Sequence, residues 1–462
     1  MNATGTWRAE FRATLLLAWP LVLTNLSQFA LTLTDTIFLG HVGTQELAAA
    51  TLGMNLVFAA IAPCFGLATA AAATTAQTRG RGPGFVRGMR RDVRAALWAT
   101  ALSLVPFTLA MWQAEAILLA LGQDPVLAAL AGQYVRALLV GEPFFLGFVV
   151  LRGFLAAEQR PGPAMAMAGL GIALNVPLNA WLIFGGLGLP PLGVVGAGLA
   201  SSSANAVMLL GLLAVMARDR RLRRFRILGR FWRPDMARLR ETVAVGLPIA
   251  GSMLLEIGIF ASAALLMGWL DATSIAAHAI AVQCATVTFM VPMGIGQAAT
   301  ARVGLAAGAG DAQGAARAGW AAIALGVGFM AGAAVALIGW GEAIARLFLD
   351  AGRADAAGTA ALAATLLVVA GLFQLADGVQ AVASGALRGL KDTTVPMLLT
   401  GIGYWVVGLP LGLVLAFPMG LGAVGIWVGL AAGVMMVAVL LMLRWIRRAG
   451  LTRGRAAVSL PA

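Results

Sequence analysis

The chain has 462 residues, 60% of them apolar and only 11% charged, with a mean hydropathy of +0.90. A soluble domain carries about 25% charged residues, so this composition excludes a soluble enzyme and fits a polytopic membrane protein. The net charge of +13 does not argue for nucleic acid, because the arginines fall between apolar blocks, where membrane topology accounts for them.

Apolar blocks separated by charges or Gly/Pro clusters predict twelve spans, near 14–38, 47–76, 93–112, 127–155, 163–185, 193–217, 242–270, 275–304, 317–340, 357–386, 395–416 and 420–443. The first is too long for a signal core and lacks a cleavage pattern, so it is expected to remain as a span. Cys64 and Cys284 lie inside apolar segments and read as packing residues. Arg79, Arg81, Arg87, Arg90, Arg91 and Arg94 cluster after span two, and the longest polar stretch, 218–240, is rich in arginine after span six. The stretches after spans one, three, five, seven and eleven hold no Arg or Lys. After span nine, Arg346 and Arg353 are balanced by Glu342, Asp350 and Asp355. The positive-inside rule then places both termini in the cytoplasm and gives these arginines a topological role.

The basic stretch bisects the chain, and the halves repeat. Residues 18–40 align with 246–268, matching Pro20 to Pro248 and Gly40 to Gly268, and GVVGAGLAS (193–201) resembles GAVGIWVGL (422–430). Six spans precede the second copy, so the repeat is parallel. In such architectures the substrate path usually lies between the halves. The expected organisation is an all-α integral membrane protein with a six-helix half at 1–217, a basic cytoplasmic linker at 218–240 and a six-helix half at 241–462, around a central cavity.

Three acids sit inside spans: Asp35 in span one, Glu256 in span seven and Asp377 in span ten. A carboxylate at the centre of a spanning helix costs roughly 2.5–3.5 kcal/mol on insertion scales. Glu256 aligns with Gln28 and Asp35 with Ala263, so the acids are not symmetry copies. No Lys or Arg stands in the middle of a span near Glu256 and Asp377. Their available counter-charges are therefore a proton, a metal cation or a cationic substrate. Carboxylate oxygens suit Na⁺ as well as a shared proton, and Gln283 in span eight offers an amide oxygen. Asn175 and Asn179 in span five are four apart, hence on one helix face, and could join Asp35 in a polar cluster. Pro177 between them would free a backbone carbonyl. A packing network competes evenly with a functional role for that cluster. Glu142, His41 and His278 read as structural or satisfied polar residues. No phosphate-binding loop, zinc spacing or nucleophile motif is present.

The motifs TDTIFLG (34–40), LNVPLNAWLIFG (174–185), WRPD (232–235), GLPIA (246–250) and LADGVQAVASGALRGLKDTTVPM (375–397) together resemble the multidrug and toxic compound extrusion (MATE) family, in its NorM-like branch. The resemblance runs from about Trp19 to Arg444. It implies an inner-membrane antiporter that expels organic cations and drugs in exchange for Na⁺ or H⁺. It implies further that Glu256 and Asp377 form the cation site and that Asp35, Asn175 and Asn179 form a first-half polar cluster. Relatives of this branch often carry Tyr one turn before the span-ten acid, where this chain has Phe373, so a hydroxyl that the resemblance implies near the ion is missing. No cofactor is expected beyond the coupling ion. The expected partners are small organic cations and membrane lipids, with no nucleic acid, and the expected functional unit is a monomer. The alternative is a flippase for lipid or lipid-linked oligosaccharide, which would want arginines in its cavity; the acidic mid-span charges argue against it.

Overall fold

The computed structural model describes residues 6–186, 188–229, 231–233, 235–349 and 356–458, without the side chains of 356 and 451–458. Arg230, Pro234, Asp350, Arg353 and Asp355 lie outside the described residues. The described residues are helical throughout, apart from turns and one bridge pairing Gly186 with Leu189. Eleven helices are long and apolar enough to cross a membrane, and one bent pair brings the number to twelve.

Several helices outrun the spans read from hydropathy. The helices α1 (Trp7–Val42), α2 (Thr44–Gly80), α10 (Met236–Leu270) and α11 (Ala272–Gly308) have 36, 37, 35 and 37 residues. About 20 residues cross the hydrocarbon, so each projects beyond it. Each also contains a proline, at 20, 63, 248 and 292. The other elements of the first half are α3 (Phe85–Trp112), the short α4 (Ala114–Ala120), α5 (Pro125–Leu139), α6 (Glu142–Ala157), α7 (Gly162–Phe184), α8 (Gly193–Arg218) and the one-turn α9 (Arg220–Arg223). The second half continues through α12 (Ala312–Arg346), α13 (Ala356–Gly389), α14 (Thr394–Gly401), a π-helical segment (Ile402–Gly408), α15 (Leu409–Ala416) and α16 (Gly422–Val458).

Span four is the bent pair, α5 and α6, with a 46° change of direction between them. Pro143 in the first turn of α6 has no amide hydrogen to continue the helix. The Ser202 hydroxyl on α8 donates to the carbonyl of Ala137 at 2.7 Å, near the end of α5. A Cβ at Gly141 would lie 2.6 Å from the Ser202 backbone, so only glycine allows this approach.

The chain divides into two compact units, one made of Leu23–Ala250 and the other of Met1–Val22 with Gly251–Ala462. The starts of α1 and α10 are thus exchanged between units. In the unit Leu23–Ala250, the start of α10 packs on α2, where a Cβ at Gly66 would meet the Ala250 backbone at 2.6 Å. In the other unit, the start of α1 packs on α11, where a Cβ at Gly294 would meet Val22 at 2.5 Å. The offset of 228 residues that separates Pro20 from Pro248 also separates Gly66 from Gly294 and Val22 from Ala250. Each exchanged start is tied by charge. Arg238 donates to Asp92 of α3 at 2.7 Å, and Arg302 of α11 grips Glu10 of α1 at 2.7 Å. Positions 10 and 238 are again 228 apart, with the sign of the charge reversed.

Candidate functional site

Each unit buries its own polar cluster. In the unit Leu23–Ala250, Asp35 on α1 is buried among α7 and α8. Asn179 donates to Asp35 Oδ1 at 2.7 Å and Asn175 to the same oxygen at 3.3 Å. The Ser201 hydroxyl of α8 donates to Oδ2 at 2.5 Å. Asn179 also donates to Asn175 Oδ1 at 3.0 Å, as the four-residue spacing requires on one helix face. The helix runs unbroken through Pro177. Three donors converge on one carboxylate, and this arrangement joins α1, α7 and α8. Ser201 was not picked out in the sequence, although it ends the repeated phrase 193–201; small hydroxyls in apolar helices give little signal.

Arg152 is a second feature that hydropathy hid. It lies on α6, only 4% exposed, and its guanidinium donates to Asn25 Oδ1 at 2.9 Å and Gln28 Oε1 at 3.2 Å. A buried cation held by neutral amide oxygens corrects the expectation that span interiors carry acidic charge alone. A lone arginine within the apolar run EPFFLGFVVLRGFLAA was the available signal.

The second cluster lies in the other unit. On α13 the residues Gln374, Asp377, Gln380, Ser384 and Arg388 recur every three or four positions, forming one polar stripe on a helix that packs against α11, α12 and α16. Gln374 donates to the Thr288 hydroxyl of α11. Tyr404, inside the π-helical segment, donates to Gln380 Oε1 at 2.9 Å. Asp377 is buried and makes no hydrogen bond with a described residue. Glu256 on α10 is half-buried. It stands close enough for its charge to act on Asp377, Arg388 and Tyr404.

Arg388 thereby departs from the purely topological role read for it. It sits in the last turn of α13, and its guanidinium turns back to Ser384 one turn earlier, at 3.1 Å. Long helical side chains lean toward the N-terminus of their helix, which carries this charge from the end of α13 back along the helix. Gln283 on α11 is half-buried and makes no hydrogen bond to either acid. Among the described residues, no group of three His, Cys, Asp or Glu gathers as a metal-ligand cluster.

Phe373 packs edge-on against Phe260 of α10 at 6.2 Å and against Trp427 of α16 at 6.0 Å between ring centroids. His278 joins the same cluster, edge-on to Trp427 at 5.8 Å, with its Nδ1 buried and without a hydrogen-bond partner among the described residues. It is therefore not the satisfied polar residue expected. His41 is satisfied within its helix, through the Ile37 carbonyl at 2.8 Å. Glu142 opens α6, and one of its carboxylate oxygens is buried without a partner among the described residues, beside a small apolar cleft lined by Val57, Ile61, Leu104, Phe107 and Met111.

With this geometry in view, the chain can be set beside known proteins. The MatE family matches residues 20–181 and 248–414, one block in each half. A probable multidrug resistance protein NorM of Mesorhizobium japonicum is 48% identical over 96% of this chain and 95% of its own length. A protein of the same description from Brucella suis is 44% identical over 97% of this chain and 95% of its own length. Among solved structures, the crystal structure of the eukaryotic MATE transporter AtDTX14 superimposes with a TM-score of 0.86 at 21% identity, covering 97% of this chain and 99% of that one.

Proposed function

Because the chain belongs to the MatE family, we propose that it is a secondary active multidrug efflux antiporter of a bacterial inner membrane. It exports organic cations and toxic compounds in exchange for Na⁺ or H⁺ by alternating access. The reading takes 1–217 and 241–462 as the two functional halves, 218–240 as the cytoplasmic connection, both termini as cytoplasmic and a single chain as the working unit. Transport rather than catalysis is the activity, and the coupling ion is a co-substrate, not a cofactor.

The observation that carries this reading is Asp377, a buried carboxylate on a polar helix stripe, without a hydrogen bond from a described residue and within electrostatic range of Glu256. A buried charge needs a partner. With Arg388 able to balance only one of two carboxylates, a proton or Na⁺ balances the other. Ion binding at Glu256 and Asp377, with Gln283 as a further oxygen donor, shifts the conformational equilibrium because the ion has different affinities for the two states. The Asp35, Asn175 and Asn179 cluster, with Ser201, serves the substrate path in the first half. Arg152 is the feature a lipid or oligosaccharide flippase would use to hold a phosphate, but its guanidinium is buried and already engaged by two amides.

Efflux of a fluorescent organic cation from proteoliposomes, driven by an Na⁺ gradient or a pH gradient applied separately, tests the proposal. Efflux with one gradient names the ion. Absence of efflux with either, over several cations, together with transfer of a labelled lipid between leaflets, replaces the antiporter with the flippase.

A further inference from the structure

The stretch between α8 and α10 takes no part in either polar cluster, yet it is folded and fastened. Its inner side is apolar: Leu222, Phe225 and Ile227 are buried. From α3, Arg90 donates to the Phe225 carbonyl at 2.5 Å, Arg94 to Ile227 at 2.7 Å and Trp98 to Phe231 at 2.9 Å. Side-chain donors on α3 thus hold three backbone carbonyls spread along the stretch, so it is docked and not a loose tether. Asp219 caps α9 through the amides of Arg221 and Leu222, and those bonds hold its carboxyl below the usual range.

The outer side has the opposite character. Arg220, Arg221, Arg223, Arg226 and Arg233 are exposed and form no ion pair with a described residue. The only acids in 218–240 are already engaged, Asp219 with Arg160 at 2.9 Å and Asp235 with Arg91 at 2.6 Å. Beside these cations stand Leu228, Trp232 and Met236, with Trp232 72% exposed. An indole, two apolar side chains and a row of guanidinium groups suit the boundary between hydrocarbon and headgroups, where Trp sits at headgroup depth and arginine meets phosphate. Both ends of the stretch run directly into spanning helices, α8 ending at Arg218 and α10 beginning at Met236. The stretch is thus continuous at both ends with helices that cross the membrane, which favours lipid over a cytosolic macromolecule.

We infer that the docked stretch between α8 and α10 gathers anionic phospholipid headgroups at the membrane surface through Arg220, Arg221 and Arg223, with Trp232 as its interfacial anchor. The inference does not depend on which substrate the protein exports.

The test uses the full chain in bilayers of phosphatidylcholine and phosphatidylglycerol, reading the phosphatidylglycerol enrichment of protein-associated lipid by native mass spectrometry and by spin-labelled lipid. The wild type is expected to enrich phosphatidylglycerol, and raised salt to weaken that enrichment by screening. The variant R220Q/R221Q/R223Q is expected to lose it, by up to about fivefold for each arginine removed near an anionic surface. R220K/R221K/R223K keeps the charge and is expected to keep most of the enrichment. R8Q/R12Q/R447Q removes as many exposed cations elsewhere and is expected to leave it in place. No preference for phosphatidylglycerol in the wild type overturns the inference. So does an equal loss in the control at 8, 12 and 447, which would reduce the stretch to general surface charge, or an equal loss in the lysine variant.

Discussion

At the scale of single residues, the second-unit acids and Asp35 differ in how the protein satisfies them. Asp35 accepts three hydrogen bonds from two amides and a hydroxyl, whereas Asp377 accepts none from a described residue. Glu256→Gln and Asp377→Asn are each expected to lower gradient-driven efflux at least tenfold while leaving insertion intact. A double variant that still pumps would sink their coupling role. Ser201→Ala removes a hydrogen bond to a charged group and is expected to cost about 1.5–3 kcal/mol, read from thermal unfolding in detergent. Arg388→Gln removes the cation whose field reaches Glu256, so the half-saturating concentration of the coupling ion is expected to fall. An unchanged value returns Arg388 to a topological role. The acids themselves stood out in the sequence because a carboxylate in an apolar run is unusual. Ser201 and Arg388 did not, since a hydroxyl is common in spanning helices and an arginine at a helix end is what topology expects.

At the scale of helices, glycines set how closely elements approach. A Cβ at Gly385 on α13 would collide with the Gly296 carbonyl of α11, and one at Gly153 on α6 would press on Ala72 of α2 at 3.1 Å. Gly328 on α12 has open space. Elsewhere in a helix, Gly→Ala is stabilising by about 1 kcal/mol. Gly328→Ala is therefore expected to raise the unfolding temperature. Gly385→Ala is expected to lower it, by the roughly 1–3 kcal/mol of overpacking, and a stabilised Gly385→Ala would refute the close contact. The break between α5 and α6 was only partly legible. Gly141 and Pro143 announce a bend, but hydropathy merged the two pieces into a single span at 127–155. The π-helical segment at 402–408 had no signature in periodicity, because one extra residue per turn leaves an apolar run apolar.

At the scale of the whole molecule, the exchanged starts of α1 and α10 make the repeat more than a copied fold. Each unit is completed by a helix start that belongs, in sequence, to the other copy. The grip of Arg302 on Glu10 and of Arg238 on Asp92 fastens these starts. Arg302→Glu is expected to destabilise the chain by roughly 1.5–3 kcal/mol, the range of charge-assisted hydrogen bonds, and Glu10→Arg added to it is expected to recover part of the loss. No recovery would make the pair incidental. Orientation is tested separately. A cysteine at Gln123 is expected to react with an impermeant thiol reagent from outside the cell, and one at Ala309 only from the cytoplasm; the reverse pattern would invert the topology.

The sequence by itself determined the class of the protein, its twelve spans, the two-fold repeat and the intramembrane acids, because burying charge and exposing apolar surface are costs visible residue by residue. It also singled out Asn175 and Asn179 beside Asp35, since helical spacing fixes which side chains share a face. Only the tertiary structure decided that Ser201 completes that cluster, that Arg152 is held by Asn25 and Gln28, and that Arg388 turns back to Ser384. It alone showed that Val22 packs on Gly294 while Ala250 packs on Gly66. Apart from the turn of Arg388, each of these pairs residues far apart in the chain, and local periodicity carries no information about which distant helix face a side chain will meet.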